Sequence, residues 1–210
     1  MQFAFVLILI GALGVGLIAL GSMGWRQYRR RSALERVAHE MGMKFSTKDP
    51  FDLTRRYPTF VLTWAGHSPC AENVIHGRYK GWNLRAFDYR YEAGHGPGRL
   101  VRRYSVVAAD TDLDLPAALM WRMEDASHVP MAVQRPWARL GPWLVVSGGQ
   151  LPAVLTEGFG ELAGQPVSVQ IGDRSVLLCS AVRWQAKEFA ARMDQATAAL
   201  EVLHSRCRPE

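Results

Sequence analysis

The chain has 210 residues with a formal net charge of +6, and 49% of them are hydrophobic and 21% charged. This balance is typical of a folded protein and excludes a disordered or low-complexity polymer. Three widely spaced cysteines, Cys70, Cys179 and Cys207, exclude a disulfide framework and indicate a reducing compartment.

The first 25 residues carry no charged side chain, and arginines follow at Arg26, Arg29, Arg30 and Arg31. About 20 apolar residues in a helix match a hydrocarbon core about 30 Å thick. The pattern therefore predicts a transmembrane helix over residues 1–25. A secretory signal peptide is the alternative, but the run lacks a preceding positive residue and a small-x-small cleavage site.

The basic residues lie on one side of this apolar run. The positive-inside rule then predicts a single-pass protein of the bacterial inner membrane, with its N-terminus outside and its C-terminal domain in the cytoplasm. Arg26, Arg29, Arg30 and Arg31 are predicted to contact anionic lipid head groups. Nucleic acid is not expected as a partner, because no recognised binding motif accompanies the positive charge.

Small residues form a strip along the apolar run. Ala12 and Gly16 are four positions apart, with Ala19 beside them, so they share one side of a helix. Such strips allow a second helix of a membrane complex to approach closely. The alternative is that glycine is simply common in membrane helices.

The periodicity of the remaining residues predicts the folded part of the chain. A basic juxtamembrane helix and linker are expected over residues 26–48, with the helix ending at Gly42, and a cytoplasmic α+β domain over residues 49–210. The predicted fold class is α+β, with an N-terminal transmembrane helix followed by an antiparallel sheet and helices packed on one face.

Within this domain, alternating apolar residues predict strands and a 3–4 spacing predicts helices. The strands expected with most support form a meander over residues 73–79, 82–92 and 100–109. Other predicted elements are a short helix over 51–56 that begins after Pro50 and ends before Pro58, a strand over 143–147, a helix over 151–162, a hairpin over 167–179 and a helix over 183–203. Residues 127–142 are expected to be irregular because they contain three prolines.

No stretch of the chain meets the spacing that a catalytic or metal-binding motif requires. The segment His39–Met43 begins like a zinc-protease helix but has methionine where the second histidine is needed. His67, Cys70 and His76 lack the paired spacing of zinc sites, and Ser147 lacks the glycine that a nucleophile elbow needs before it. The chain is therefore predicted to be a non-enzyme without metal or cofactor.

Two tryptophans lie in an irregular, proline-containing segment. Trp137 and Trp143 belong to the stretch Arg135–Trp143, which also contains two arginines. Aromatic and arginine side chains are enriched at protein interfaces. Trp137 and Trp143 are therefore predicted to form an exposed surface for a partner protein.

Several short motifs follow one another in a recognisable order. They are Arg30-Arg31-Ser-Ala-Leu34 in a helix that ends in glycine, Asn73-Val74-Ile75-His76-Gly77, Phe87-Asp88-Tyr89-Arg90-Tyr91 and Tyr104-Ser105-Val106-Val107. This layout, over residues 30–110, resembles a group of uncharacterised bacterial membrane-anchored proteins. The resemblance implies no activity. It directs attention to Asp88, for which a hydrogen bond within the hairpin is the simplest role.

These observations favour a non-catalytic accessory or structural subunit that docks on a larger membrane complex. A photosynthetic or respiratory assembly is one host that fits. Two alternatives stay open at this point. One is a membrane-face sensor or enzyme with a pocket near Asp88, His76 and Tyr89, and the other is a scaffold that binds anionic lipid through the arginines after residue 25.

Overall fold

The computed structural model describes residues 2–113, 117–128, 138–147, 159–172 and 174–207. The helices are α1 (Gln2–Glu40), α2 (Leu53–Arg56) and α3 (Ala186–Cys207). The strands are β1 (Lys44–Lys48), β2 (His67–Tyr79), β3 (Trp82–Ala93), β4 (Leu100–Asp110), β5 (Ala118–Arg122), β6 (Ala138–Leu140), β7 (Trp143–Ser147), β8 (Ser168–Gly172) and β9 (Ser175–Ser180).

All nine strands belong to one antiparallel sheet. Their order is β1-β2-β3-β4-β9-β8-β5-β7-β6. The predicted meander is confirmed as β2-β3-β4. Lys80 and Gly81 join β2 to β3, and their φ values of 47° and 87° suit a tight two-residue hairpin turn. The predicted hairpin over residues 167–179 is confirmed as β8-β9.

Strand β2 begins at His67, six residues before the predicted start at 73. Its pairing with β3 shifts register twice, between His67 and Cys70 and between Glu72 and Ile75. Ser68 and Asn73 have positive φ values of 54° and 55° within these two irregular stretches. The bulges interrupt the alternation of side chains, and this is why the sequence pattern did not predict the early start.

The sheet is covered on both faces. One face packs α3 and the C-terminal part of α1 against alternate residues of β3 such as Leu84 and Ala86. The opposite face packs α2 and a 3-10 turn at Val61–Trp64 against Phe87, Tyr89 and Tyr91. The apolar stripe of α3 is buried, as predicted, at Phe189, Met193, Ala196, Leu200 and Leu203.

Helix α1 ends as the sequence predicts. Gly42 has a φ of 67°, its N–H donates to the His39 carbonyl at 3.0 Å, and the Met43 N–H donates to the Ala38 carbonyl at 2.8 Å. This pair of hydrogen bonds is the Schellman arrangement, which needs a left-handed residue and so favours glycine. Leu34 and Ala38, fully buried one turn apart, attach this end of the helix to the sheet.

In the part of the chain that the structure describes, no helix is long and apolar enough to cross a membrane. The predicted transmembrane helix over residues 1–25 is therefore wrong, and so is the placement of a single-pass protein in the inner membrane with its bulk in the cytoplasm. Side chains are described at residues 10–16 and 21–22 but not at 2–9, 17–20 or 23.

The predicted fold class is wrong for two reasons, the first being that no described helix can cross a membrane. The second reason concerns the sides of the sheet. Helices were expected on one face of the sheet, but α2 lies on the face opposite α1 and α3. The prolines at positions 50 and 58 bound this segment, and α2 was correctly predicted between them as a short helix. A helix of one turn cannot show by its own periodicity which face it covers.

The later part of the domain is described only in pieces. The strand predicted at 143–147 is confirmed as β7, and β6 forms inside the segment that was expected to be irregular. Residues 129–137 and 151–158, which include most of the helix predicted at 151–162, lie outside the described residues. The stretch that follows them, Gly160–Gly164, is a 3-10 helix.

Candidate functional site

The carboxylate of Asp88, near the middle of β3, is the centre of a polar cluster that joins several elements. The Arg30 guanidinium of α1 binds both of its oxygens, through Nε at 3.0 Å and Nη2 at 2.6 Å. Arg183, at the start of the segment leading into α3, adds a contact at 3.2 Å. The side chains of Asp88 and Arg30 are only 7% and 15% exposed.

The local sequence explains how Asp88 reaches this position. It alternates with Phe87 and Tyr89, so it points to the face of the sheet on which α1 and α3 lie. The facing bulge in β2 turns Asn73 into a left-handed conformation, and its side-chain amide donates to Asp88 Oδ2 at 2.9 Å. Asparagine tolerates such a conformation better than most residues do.

Arg30 also links the cluster to the backbone before α3. Its Nη1 donates to the carbonyl oxygen of Trp184 at 2.7 Å. The cluster therefore joins α1, β2, β3 and the start of α3 at one point. Three of its members, Arg30, Asn73 and Asp88, come from the motifs that begin at Arg30, at Asn73 and at Phe87, whereas Arg183 lies outside them.

The geometry of this cluster favours attachment over catalysis. A bidentate arginine is a strong, directional partner for a carboxylate, and Asn73 and Arg183 occupy much of the remaining hydrogen-bonding capacity of Asp88. The cavity beside Asp88 measures only about 10 Å³. That volume holds no substrate, so the cluster acts as a latch that holds α1 on the sheet.

The three side chains Asp88, His76 and Tyr89 do not line one pocket in the described structure. Asp88 and Tyr89 are consecutive in β3 and point to opposite faces. Tyr89 donates to the Leu62 carbonyl at 3.2 Å and is buried, which raises the pKa of its hydroxyl. The ring of His76 lies against Phe51 and Ser46, and burial, together with Lys44 and Arg85, lowers its pKa.

The four arginines predicted to contact lipid do not act as one group. Arg26 and Arg29 are exposed on α1. Arg30 is neutralised by Asp88 and turned into the protein. Arg31 is half-buried and lines a groove beside β1. Only the first two keep the exposure that contact with a lipid surface requires.

The strip predicted for helix packing is described in part. Ala12 and Gly16 are exposed on α1, and a Cβ placed on Gly16 would meet no atom within 4 Å. Within the described residues, this stretch of α1 thus has room for another helix. The side chain of Ala19 lies outside the described residues.

The predicted aromatic interface is wrong for Trp143. This side chain is 2% exposed, and its indole N–H donates to the Val167 carbonyl at 2.9 Å inside the core. The segment around it forms a strand, so alternation turns the ring inward. Trp137 lies outside the described residues.

A groove that sequence patterns did not predict lies between α1 and β1. It has a volume of about 740 Å³ and mixes aromatic, hydroxyl and charged side chains. Its lining comes from two neighbouring segments of the chain, the C-terminal part of α1 and the stretch from Phe45 to Pro50. Sequence spacing could have revealed the helical half alone, through Tyr28, Arg31, Ser32 and Glu35.

A second ionic cluster, on the opposite face of the sheet, was also not predicted from the sequence. The Arg85 guanidinium binds both oxygens of Asp110 at 2.7 Å and the Tyr57 hydroxyl at 3.1 Å. Burial raises the pKa of Tyr57, and the neighbouring Arg85 offsets part of this rise. In the described part of the chain, no set of three or more His, Cys, Asp or Glu side chains is placed to hold a metal ion.

No protein-family model and no curated protein sequence matches this chain. Among solved structures, it is similar to the crystal structure of the mycobacterial trehalose monomycolate transport factor A, TtfA. The TM-score is 0.55 at 14% sequence identity, and the similarity covers 86% of this chain and 95% of that chain. At this identity the similarity shows a shared fold.

Proposed function

We propose that this chain is a non-catalytic accessory factor that docks on a larger membrane complex. The observation that carries the proposal is the exposed apolar surface of α1. Ile10, Leu13 and Val15 are 61%, 59% and 68% exposed, and Trp25 and Tyr28 are similarly open. Several large apolar side chains exposed along one helix indicate a site of interaction.

The latch at Asp88 supports the same role. It fixes the C-terminal part of α1 on the sheet, so the apolar part projects from the body as a continuation of one helix. A helix from residue 10 to residue 28 extends about 27 Å at 1.5 Å per residue. A rigid projection of this length suits a docking element, because its orientation is set before a partner binds.

The similar solved structure, TtfA, favours one kind of membrane complex over the others. TtfA is named as a transport factor for trehalose monomycolate. We extend to this chain only the coarse role, that of an accessory factor in lipid transport, since the two proteins share 14% of their residues. The photosynthetic or respiratory host gains no support from the fold.

Co-purification of the full chain in mild detergent tests this role. We expect a stoichiometric partner to be retained by the wild type and lost by the variant Ile10→Ser/Leu13→Ser/Val15→Ser. The matched control is Leu100→Ser/Val101→Ser/Val182→Ser, which changes three exposed apolar residues elsewhere on the protein. A chain that always runs alone, or equal retention by both variants, contradicts the proposal.

A second candidate is contact with anionic lipid head groups, favoured by the exposure of Arg26 and Arg29. Binding of the full chain to vesicles containing an anionic lipid should weaken as salt rises, because exposed charges are screened. Arg26→Gln/Arg29→Gln should weaken it further, whereas Arg55→Gln, which changes an exposed side chain on α2, should not. Binding that is insensitive to salt contradicts this candidate.

A further inference from the structure

The groove between α1 and β1 is built from one helix face and one strand edge. Tyr28, Arg31, Ser32 and Glu35 stand at spacings of three, four and seven, so they share a single face of α1. The other wall is formed by the six consecutive residues from Phe45 to Pro50. Its volume of about 740 Å³ lies within the range of about 300–1,000 Å³ that is usual for ligand sites.

The consecutive residues of this second wall show which part of β1 faces the groove. Side chains alternate along a strand, so a groove on one face of the sheet would be lined by every second residue. Here every residue from Phe45 to Lys48 takes part, which means that the backbone edge of β1 borders the groove. In the described sheet, β1 is an end strand that pairs only with β2. One row of its backbone N–H and C=O groups is thus without a strand partner.

Charges of both signs line the groove, namely Arg31, Lys48, Glu35 and Asp49, and the exposed charges along the strand itself are lysines. The Nε of Arg31 is buried and has no hydrogen-bond partner among the described residues, and a buried donor in this state is unfavourable. Lys44 and Lys48 are exposed along the strand. Of the acidic residues nearby, Asp49 already accepts the N–H groups of Phe51 and Leu53, at 2.9 and 2.6 Å.

We propose that an extended, acidic segment of a partner protein adds to β1 as a further antiparallel or parallel strand and lies in this groove. Backbone hydrogen bonds to the strand edge supply affinity, as in other strand-addition complexes. Carboxylates of the segment meet Arg31 and Lys48. This inference rests on the proposed docking role and names a second contact surface for it, separate from the apolar part of α1.

The strand sets the size of the segment. The five residues of β1 extend about 17 Å at 3.4 Å per residue, so a peptide of about seven residues covers the edge completely. The probe is a fluorescent peptide of alternating Glu and Val, added to the full chain in detergent. We expect saturable binding by anisotropy and slower amide hydrogen exchange in residues 44–48.

Two comparison peptides separate backbone pairing from charge. A peptide of the same sequence, N-methylated at alternate residues on its β1-facing edge, loses the donors that pair with the strand and should not bind. A peptide with Lys in place of Glu should bind at least about tenfold more weakly, because like charges then face each other. Equal binding of the N-methylated peptide overturns the proposal.

Variants of the chain locate the site. Lys48→Glu should weaken binding of the acidic peptide by about tenfold. Arg55→Glu is the matched control, since it makes the same charge change on a side chain that is 87% exposed and does not line the groove. Ser32→Phe should also block binding by filling the groove from the helix side. Equal effects of Lys48→Glu and Arg55→Glu overturn the proposal.

Other occupants of the groove give different results. A concentration-dependent dimer that Lys48→Glu disrupts would show that a second copy pairs with β1, and it would overturn the proposal. If vesicles bind in a way that requires Lys48 and the peptide does not bind, the occupant is a lipid surface and the proposal is overturned. If the acidic peptide does not bind while co-purification still depends on Ile10, Leu13 and Val15, strand addition is wrong and the docking role stands.

Discussion

At the scale of single residues, Arg30 and Asp88 explain why a projecting helix stays in a fixed position. Arginine presents two parallel donors that match the two oxygens of a carboxylate, which lysine cannot do. The pair is largely buried, so each charge relies on the other to offset its loss of water. Asn73 and Arg183 then hold the carboxylate in the orientation that Arg30 requires.

Asp88→Ala is expected to destabilise the domain by about 3–5 kcal/mol, because it leaves a buried guanidinium without its carboxylate. Urea denaturation of the full chain measures the change in the free energy of unfolding. Arg55→Ala, which removes an exposed ion pair with Asp52, should cost less than about 1 kcal/mol.

A double variant gives a further check on this prediction. Arg30→Met/Asp88→Leu removes both charges, so it should cost less than Asp88→Ala alone. The latch interpretation fails if Asp88→Ala costs no more than Arg55→Ala.

At the scale of elements, α3 is tied to the β2-β3 hairpin by polar contacts as well as by its apolar stripe. The Tyr79 hydroxyl donates to Asp194 Oδ1 at 2.7 Å, and Lys80 Nζ lies 2.6 Å from the same oxygen. Burial raises the pKa of Asp194, but the hydrogen bonds from Lys80 and Tyr79 outweigh it, so the pKa lies below its ordinary value. The tie between helix and hairpin therefore depends on pH.

The sign of this dependence follows from the lowered pKa. A carboxylate with a lower pKa in the folded state stabilises the protein above its unfolded pKa, which is about 3.9 for Asp. That contribution is lost as the pH falls through the folded value. We therefore expect Asp194→Asn to reduce stability more at pH 7 than at about pH 3.

Denaturation of the wild type and of Asp194→Asn at both pH values measures this difference. Taking the difference between the two proteins cancels the acid sensitivity of all other groups. In a Lys80→Met background the pH dependence of the Asp194→Asn effect should shrink, since the ammonium is one cause of the shift. An equal effect of Asp194→Asn at both pH values contradicts the prediction.

At the scale of the whole molecule, one continuous sheet organises the domain, and its centre is the best protected part. Residues 104–109 of β4 are buried on both faces, and β4 pairs with β3 over residues 100–109 and with β9 over residues 105–110. The end strand β1 has five residues and pairs on one side only. Local stability should therefore fall from β4 toward β1.

Hydrogen exchange of the free protein should follow this gradient. We expect the slowest exchange in β4 and its neighbours β3 and β9, and markedly faster exchange in β1. Peptide-resolved mass spectrometry measures both. Equal protection of β1 and β4 in the isolated chain contradicts the prediction and would indicate that the edge of β1 is already covered.

The sequence by itself determined the elements whose periodicity is regular. Alternation identified the β2-β3-β4 meander and the β8-β9 hairpin, the 3–4 stripe from Phe189 to Leu203 identified α3, and Gly42 identified the end of α1. These features depend on neighbours in the chain, so local spacing contains the information. The bulge at Asn73 broke that spacing, and Trp143 was misjudged because prolines nearby suggested an exposed loop.

Only the tertiary structure decided what the charged residues do. Arg26, Arg29, Arg30 and Arg31 look alike in sequence, yet Arg30 pairs with a residue 58 positions away and Arg31 lines a groove beside β1. Partners so distant in the chain are brought together by the order of strands and by the faces that helices cover. Those choices come from packing over the whole sheet, which no local pattern of residues records.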